Sequence, residues 1–284
     1  MTITSFDLQQ FINAIRTYSN YDLSEYSDKS LNRRLAKVLT DYKMDLPVLL
    51  SQIRNTPQII ENVIKDITVN TTELFRDPHI WQHLKYILLP KLNTQPTVNI
   101  WHAGCSTGQE VYSMIIMLNE LNMLNKTKIY ASDLNTDVLQ IAKNGTYKYR
   151  FNIAYLDNFD KALKENPFNY EEYFDVPYSK YFEIDKEKDI IRMLPFLTEK
   201  PTFKKLDLVK DGNLFYAKFD LIICRNVIIY FNYDLQNKVF DLFYNNLYPN
   251  AYLWLGMHES IMGPFAPKFE KIGHFYQRKE SHIS

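Results

Sequence analysis

A junction near residue 100 constrains the fold more than any other feature of the chain. The short apolar run Val98–Ala103 meets Gly104-Cys105-Ser106-Thr107-Gly108, and a helical pattern follows at once over residues 111–121. A strand that turns on glycine into a helix brings backbone close to a ligand and aims unpaired helix N–H groups at it. The chain holds only seven glycines in 284 residues, and two of them sit in this turn. A second strand over 128–131 ends at Ser132-Asp133, where a carboxylate is placed to accept both hydroxyls of a ribose. The turn lacks the third glycine of G-x-G-x-x-G and the lysine of G-x-x-x-x-G-K-[ST]. It therefore suits a nucleoside cofactor without phosphates better than a dinucleotide or a triphosphate.

The alternation continues beyond this unit. Strands over Phe219–Cys224 and 251–255 alternate with helical runs over 138–143 and 235–247, the pattern of a parallel α/β sheet. Residues 1–70 read as helices alone. Phe6, Leu8, Phe11, Ile12 and Ile15 keep helical spacing behind a capping box of Thr4 and Asp7. Leu31, Leu35, Val38, Leu39 and Tyr42 repeat the spacing in a second helix, and Pro47 and Pro57 suit the first turns of a third and a fourth. Residues 147–205 break the alternation: they are rich in Tyr, Phe, Asp and Lys and poor in helical periodicity. Within them 181–184 and 190–194 flank D-K-E-K-D as a β-hairpin, so an inserted antiparallel subdomain is expected.

Charge excludes some functions. With 33 Lys+Arg against 33 Asp+Glu there is no bulk electrostatic grip on nucleic acid or on acidic membranes. Two cysteines, Cys105 and Cys224, rule out a disulfide scaffold and read as small buried apolar groups. His79 and His83 stand at i, i+4 without the glutamate of H-E-x-x-H, which favours packing or surface roles and no metal. No apolar run reaches the length of a membrane span, and the first ten residues lack the pattern of a signal peptide. A cytoplasmic protein without membrane insertion is expected, with a monomer as the default.

Further blocks sharpen the reading. They are V-N-T-T-E-L-F-R-D at 69–77, A-G-C-S-T-G-Q-E-V-Y-S at 103–113, A-S-D-L-N-T-D-V-L at 131–139, F-D-L-I-I-C-R-N-V-I-I-Y-F at 219–231 and L-G-M-H-E-S at 255–260. In this order they resemble the signatures of the chemotaxis-receptor methyltransferases of the CheR type, over essentially the whole chain. The resemblance implies a Rossmann-like class I S-adenosylmethionine methyltransferase sheet with a small inserted antiparallel β subdomain, preceded by an all-α N-terminal domain. It also implies transfer of methyl groups from S-adenosylmethionine to receptor glutamates, leaving S-adenosylhomocysteine. Residues 1–70 would be a helical receptor-docking domain and 71–95 a linker and cofactor-lining segment. The methyltransferase domain would then occupy 96–284, with the insert at about 147–205.

Site residues follow from the same resemblance. Asn70, Thr72 and Arg76 would line the cofactor together with Gly104, Glu110, Asp133, Asp207, Leu208, Arg225 and Asn226. Arg76 and Tyr230 would face the transferable methyl as the catalytic pair. Gln109 departs from the usual glutamate of that motif, and Met257-His258 replace a common His-Ser. Lys29, Arg33 and Lys37 share one face of the second helix with Arg34 beside them. A lone stripe of this kind is ordinarily a solvated face. The resemblance makes it a docking surface for the acidic helical coiled coil in the cytoplasmic domain of a chemoreceptor.

The chemistry needs no catalytic base. A glutamate with a reference pKa of about 4.3 is already an anionic nucleophile at neutral pH. Two other functions stay open: the same chemistry on a different acidic protein, and a cofactor-binding signalling module without turnover. An RNA methyltransferase fits poorly with a chain that has no positive excess.

Overall fold

The computed structural model describes residues 3–68 and 72–280. The chain divides into two compact units, one of Met1–Asn70 with Val227–Lys238, the other of Thr71–Asn226 with Val239–Ser284.

The first unit is built on four helices: α1 (Ser5–Tyr18), α2 (Asp28–Asp41), α3 (Leu46–Asn55) and α4 (Pro57–Ile67). The expected capping box is present, with Thr4 Oγ1 accepting from the Asp7 N–H at 3.2 Å and Asp7 Oδ2 accepting from the Thr4 N–H at 2.9 Å. Asp45 caps α3 ahead of Pro47. The apolar stripes are buried, among them Phe11, Ile15, Leu35, Leu49 and Val63, and each such side chain contributes roughly 1.5–3 kcal/mol of gross burial energy. The segment Val227–Lys238 joins this unit through backbone. The Ser27 N–H donates to the Tyr230 carbonyl and the Asn232 N–H to the Glu25 carbonyl, both at 2.9 Å. Tyr26 and Phe231 meet edge to face at 5.2 Å. Sequence alone assigns 227–238 to the methyltransferase domain, because a continuous motif gives no sign that its two halves part company after Asn226.

The second unit holds ten strands among its described residues: β1 (Val98–Ala103), β2 (Thr127–Asp133), β3 (Thr146–Lys148), β4 (Phe182–Asp185), β5 (Ile190–Met193), β6 (Pro201–Lys205), β7 (Phe219–Cys224), β8 (Leu247–Leu255), β9 (Phe269–Ile272) and β10 (Phe275–Arg278). Seven form one sheet in the order β6-β2-β1-β7-β8-β10-β9. Strands β6, β2, β1, β7 and β8 pair in parallel, and β10 runs antiparallel to both its neighbours. With β3–β5 set aside the order reads third, second, first, fourth, fifth, seventh, sixth. The sheet is thus Rossmann-like, as expected, with an antiparallel edge that the alternation did not announce. β1 is buried at five of six positions and the helix Gln109–Glu120 is buried at Gln109 and from Val111 to Leu118, so this layer forms the core under the glycine turn.

The remaining three strands make the small antiparallel sheet β3-β5-β4, with the expected hairpin between β4 and β5 in the register Ile184↔Ile191. The stretch 147–205 also holds a helix that periodicity did not reveal, Ala154–Leu163. Its buried face is thin, Leu156, Phe159, Ala162 and Leu163, and is broken by Asp157, Asn158, Asp160 and Lys161. Its last carbonyls are satisfied from outside, Lys161 by Gln82 Nε2 at 2.7 Å and Leu163 by Lys85 Nζ at 3.1 Å. The chain is back in the main sheet by Pro201, since β6 pairs with β2 over Ile129↔Pro201 to Asp133↔Lys205.

Candidate functional site

Five parallel strands share one carboxyl edge, and the order reverses between β1 and β7. In open α/β sheets, ligands bind in the crevice at that switch point. Seven of the ten residues expected to line the cofactor lie along this edge: Gly104, Glu110, Asp133, Asp207, Leu208, Arg225 and Asn226.

The glycine turn follows β1. Gly104, Ser106 and Gly108 have φ of 79°, 49° and 90°, the left-handed region. A Cβ on Gly108 would lie 2.8 Å from the Ala142 Cβ, so glycine there fixes the turn against the helix Thr136–Asn144. The Gly104 and Cys105 N–H groups donate to the Ser132 carbonyl at 2.8 and 2.9 Å, tying the turn to the end of β2. Asp133 closes the same tie: Oδ2 accepts from the Ser106 N–H at 2.8 Å and Oδ1 from the Asn135 N–H at 2.9 Å. Each carboxylate oxygen keeps a further lone pair for a ligand. Burial pushes the Asp133 carboxyl up from its ordinary value, against the pull of these N–H groups. Behind the turn, the Tyr147 hydroxyl of β3 donates to the Thr107 carbonyl at 2.7 Å.

Glu110 lies in the first turn of the helix that starts at Gln109. His102 Nδ1 is 3.0 Å from its Oε1, and Arg225 Nη1 donates to Oε2 at 3.1 Å. Arg225 turns inward: its Nη2 reaches Asp77 Oδ2 at 2.6 Å and the Arg76 carbonyl at 3.1 Å, its guanidinium lies 4.6 Å from the Trp254 ring, and its buried Nε has no hydrogen-bond partner. Its side chain is 1 % exposed. Burial alone would raise the Glu110 carboxyl, yet the His102 hydrogen bond and the Arg225 charge bring it below its ordinary value. The structure thus joins Glu110 to Arg225 and adds His102 and Asp77, to which sequence reading gave no role. Asp77 closes the quoted block that contains Arg76, and His102 precedes the turn by two residues, so their positions were the only signal.

Asn226 follows at φ 60°, its N–H donating to Glu259 Oε2 at 2.8 Å, and the Gly256 N–H donates to the same oxygen at 2.7 Å. Glu259 therefore staples the ends of β7 and β8, while the neighbouring departures Met257 and His258 are exposed. Beyond β6, the Leu206 N–H donates to the Asp133 carbonyl at 3.0 Å, which brings the partly exposed Asp207 and Leu208 beside β2. Burial raises the Asp207 carboxyl, whose Oδ1 accepts from the Val209 N–H at 2.8 Å.

The backbone carbonyl of Arg76 is held by Arg225 and by Trp81 Nε1 at 3.0 Å, while its side chain is partly exposed. Thr72 is partly exposed, and Asn70 lies outside the described residues. Tyr230 belongs to the first unit, as do Lys29, Arg33, Arg34 and Lys37 of α2. Of these, Lys29, Arg33 and Lys37 are exposed, Lys37 pairs with Asp41 at 2.5 Å, and Arg34 is partly withdrawn.

The polar groups fit a nucleoside cofactor that carries an amino-acid tail. A carboxylate at the end of β2 suits ribose hydroxyls, and Glu110 offers a second anion about the glycine turn. Ser106 Oγ is buried on that turn without a hydrogen-bond partner. Among the described residues no three His, Cys, Asp or Glu side chains are placed to hold a metal ion, and no helix is long and apolar enough to cross a membrane.

Residues 70–275 match the family model described as the CheR methyltransferase, SAM binding domain, and residues 7–68 match the CheR methyltransferase, all-alpha domain. Fold, site and match define an S-adenosylmethionine-dependent methyltransferase. The chain is 32% identical to a Pseudomonas putida protein provisionally named as the methyltransferase Cher3, over 95% of this chain and 94% of that one. It is 30% identical to the chemotaxis protein methyltransferase of Borreliella burgdorferi, over 93% of this chain and 91% of the other. A chemotaxis protein methyltransferase 1 of Vibrio cholerae is 28% identical, over 96% and 95% respectively. The chain belongs to the CheR methyltransferase family.

Proposed function

We propose that this chain methylates glutamate side chains of chemoreceptors, forming glutamyl methyl esters that tune chemotactic signalling. The observation that supports this most is the pairing of a nucleoside-cofactor edge, with Asp133 and the Glu110–Arg225 pair on it, with an all-α unit of the same family. The relatives named as chemotaxis protein methyltransferases span nearly the same length.

Bound S-adenosylmethionine supplies an electrophilic methyl group on a sulfonium sulfur, which a carboxylate oxygen displaces as the C–S bond breaks. Asp133 holds the ribose end, with its orientation set by the Ser106 and Asn135 N–H groups. Glu110 holds the amino-acid end, and Asn70, Thr72, Gly104, Asp207, Leu208, Arg225 and Asn226 complete the lining by contact or by support. Arg76 and Tyr230 act as the catalytic pair: they orient the incoming carboxylate and exclude water, which strengthens attraction between the two charges that the reaction neutralises. Lys29, Arg33, Arg34 and Lys37 dock the acidic coiled coil of the receptor, where complementary charge sets encounter and register. The protein acts as a cytoplasmic monomer, its helical unit for docking and its α/β unit for chemistry.

The test is incubation with labelled S-adenosylmethionine and a chemoreceptor cytoplasmic fragment, scoring base-labile methyl esters by mass spectrometry. Esters on receptor glutamates that vanish in Arg76→Ala and fall at least tenfold in Tyr230→Phe are expected. Cofactor binding without esters on the receptor would overturn the substrate assignment. Unchanged turnover in both variants would overturn the catalytic pair.

A further inference from the structure

His102 is a fully buried histidine beside the candidate site, and sequence reading left it without a role. It stands on β1 with 0 % side-chain exposure, Nδ1 3.0 Å from Glu110 Oε1. An ionised carboxylate can only accept, so Nδ1 carries the hydrogen. Nε2 has no hydrogen-bond partner.

Each oxygen of Glu110 thus has one fixed donor, His102 on Oε1 and Arg225 on Oε2. Glu110 and Asp77 both pair with Arg225, so two carboxylates share that one guanidinium. The other titratable groups that feel Glu110 are the buried thiols Cys105 and Cys224, both pushed well up and therefore neutral.

We propose that His102 is a positioning residue for the methyl donor, fixing the Glu110 carboxylate so that cofactor binding persists into acid solution. This rests on the reading that Glu110 contacts the cofactor. The direction of the Glu110 shift agrees: against burial, the hydrogen bond from His102 is the foremost influence that keeps the carboxyl below its ordinary value.

Calorimetric titration with S-adenosylhomocysteine between pH 5 and pH 8 tests it on wild type, His102→Met, His102→Asn and Glu110→Gln. Asparagine places its amide nitrogen where Nδ1 stands and restores the donor; methionine fills the volume and does not. Wild type and His102→Asn should hold their affinity across the range. His102→Met should lose affinity about tenfold as pH falls from 7 to 5, because burial, no longer opposed by the His102 donor, raises the Glu110 carboxyl. Glu110→Gln should bind weakly throughout and without pH dependence. A His102→Met profile parallel to wild type, with Glu110→Gln impaired, would overturn the proposal and leave the Glu110 contact standing. Wild-type binding in Glu110→Gln would remove that contact and the proposal together. Should His102→Met not fold, His102→Gln, with its amide at the Nε2 position, takes its place.

Discussion

Glu110 and Asp133 are two acids on one sheet edge, both drawn largely out of water, and their surroundings act on them in opposite senses. At Glu110 a cation and a histidine N–H more than offset burial and the carboxyl lies below its ordinary value. At Asp133 the donors are backbone N–H groups alone, and burial wins. A histidine donor at 3.0 Å together with a formal charge at 3.1 Å does what backbone amide dipoles alone do not. The Glu110 corner is therefore held by charge pairing, and the Asp133 corner by the shape of a glycine turn.

The sharpest way to break this contrast is Arg225→Met. It leaves the partly buried Glu110 and Asp77 without the buried cation they share, and a loss of about 3 kcal/mol in unfolding free energy is expected by urea denaturation. A loss below about 1 kcal/mol would mean that the charge pairing does not hold this corner. The matching change at the other corner is Gly108→Ala. Its φ of 90° and the 2.8 Å approach to Ala142 predict a cost of about 2 kcal/mol, with weaker S-adenosylhomocysteine binding. Glu259→Gln should cost about 1 kcal/mol through the weakened tie to the Asn226 and Gly256 N–H groups, readable as a lower melting temperature.

The smallest effect tests the opposite senses directly. Glu110 adds stability that is present above its ordinary value and lost as pH falls through its lowered one. Asp133 adds stability that is present below its ordinary value and lost as pH rises through its raised one. In the window of roughly pH 3 to 5, Glu110→Gln should flatten the gain of stability with pH and Asp133→Asn should steepen it, each by under about 1 kcal/mol. Slopes that move together would dissolve the comparison.

Much of both units is legible in the residues. The four helices of the first unit follow from 3.6-residue spacing together with Thr4, Asp7, Pro47 and Pro57, because caps and stripes are local physics. The glycine turn and Asp133 follow from a strand-turn-helix pattern with the same local character. The helix Ala154–Leu163 was not legible, since its stripe gains meaning only from the partners that bury it and satisfy its carbonyls.

The sequence by itself determined the four helices of the first unit, the strands about the glycine turn, where that turn falls and which family's motifs the chain bears. Tertiary structure alone decided that Arg225 meets Asp77 and Glu110, 148 and 115 residues away, and that Tyr230 parts from Asn226 to join the first unit. Those outcomes depend on which strands become neighbours and which loops close. That choice is set by burial summed over the whole chain, and no window of residues contains it.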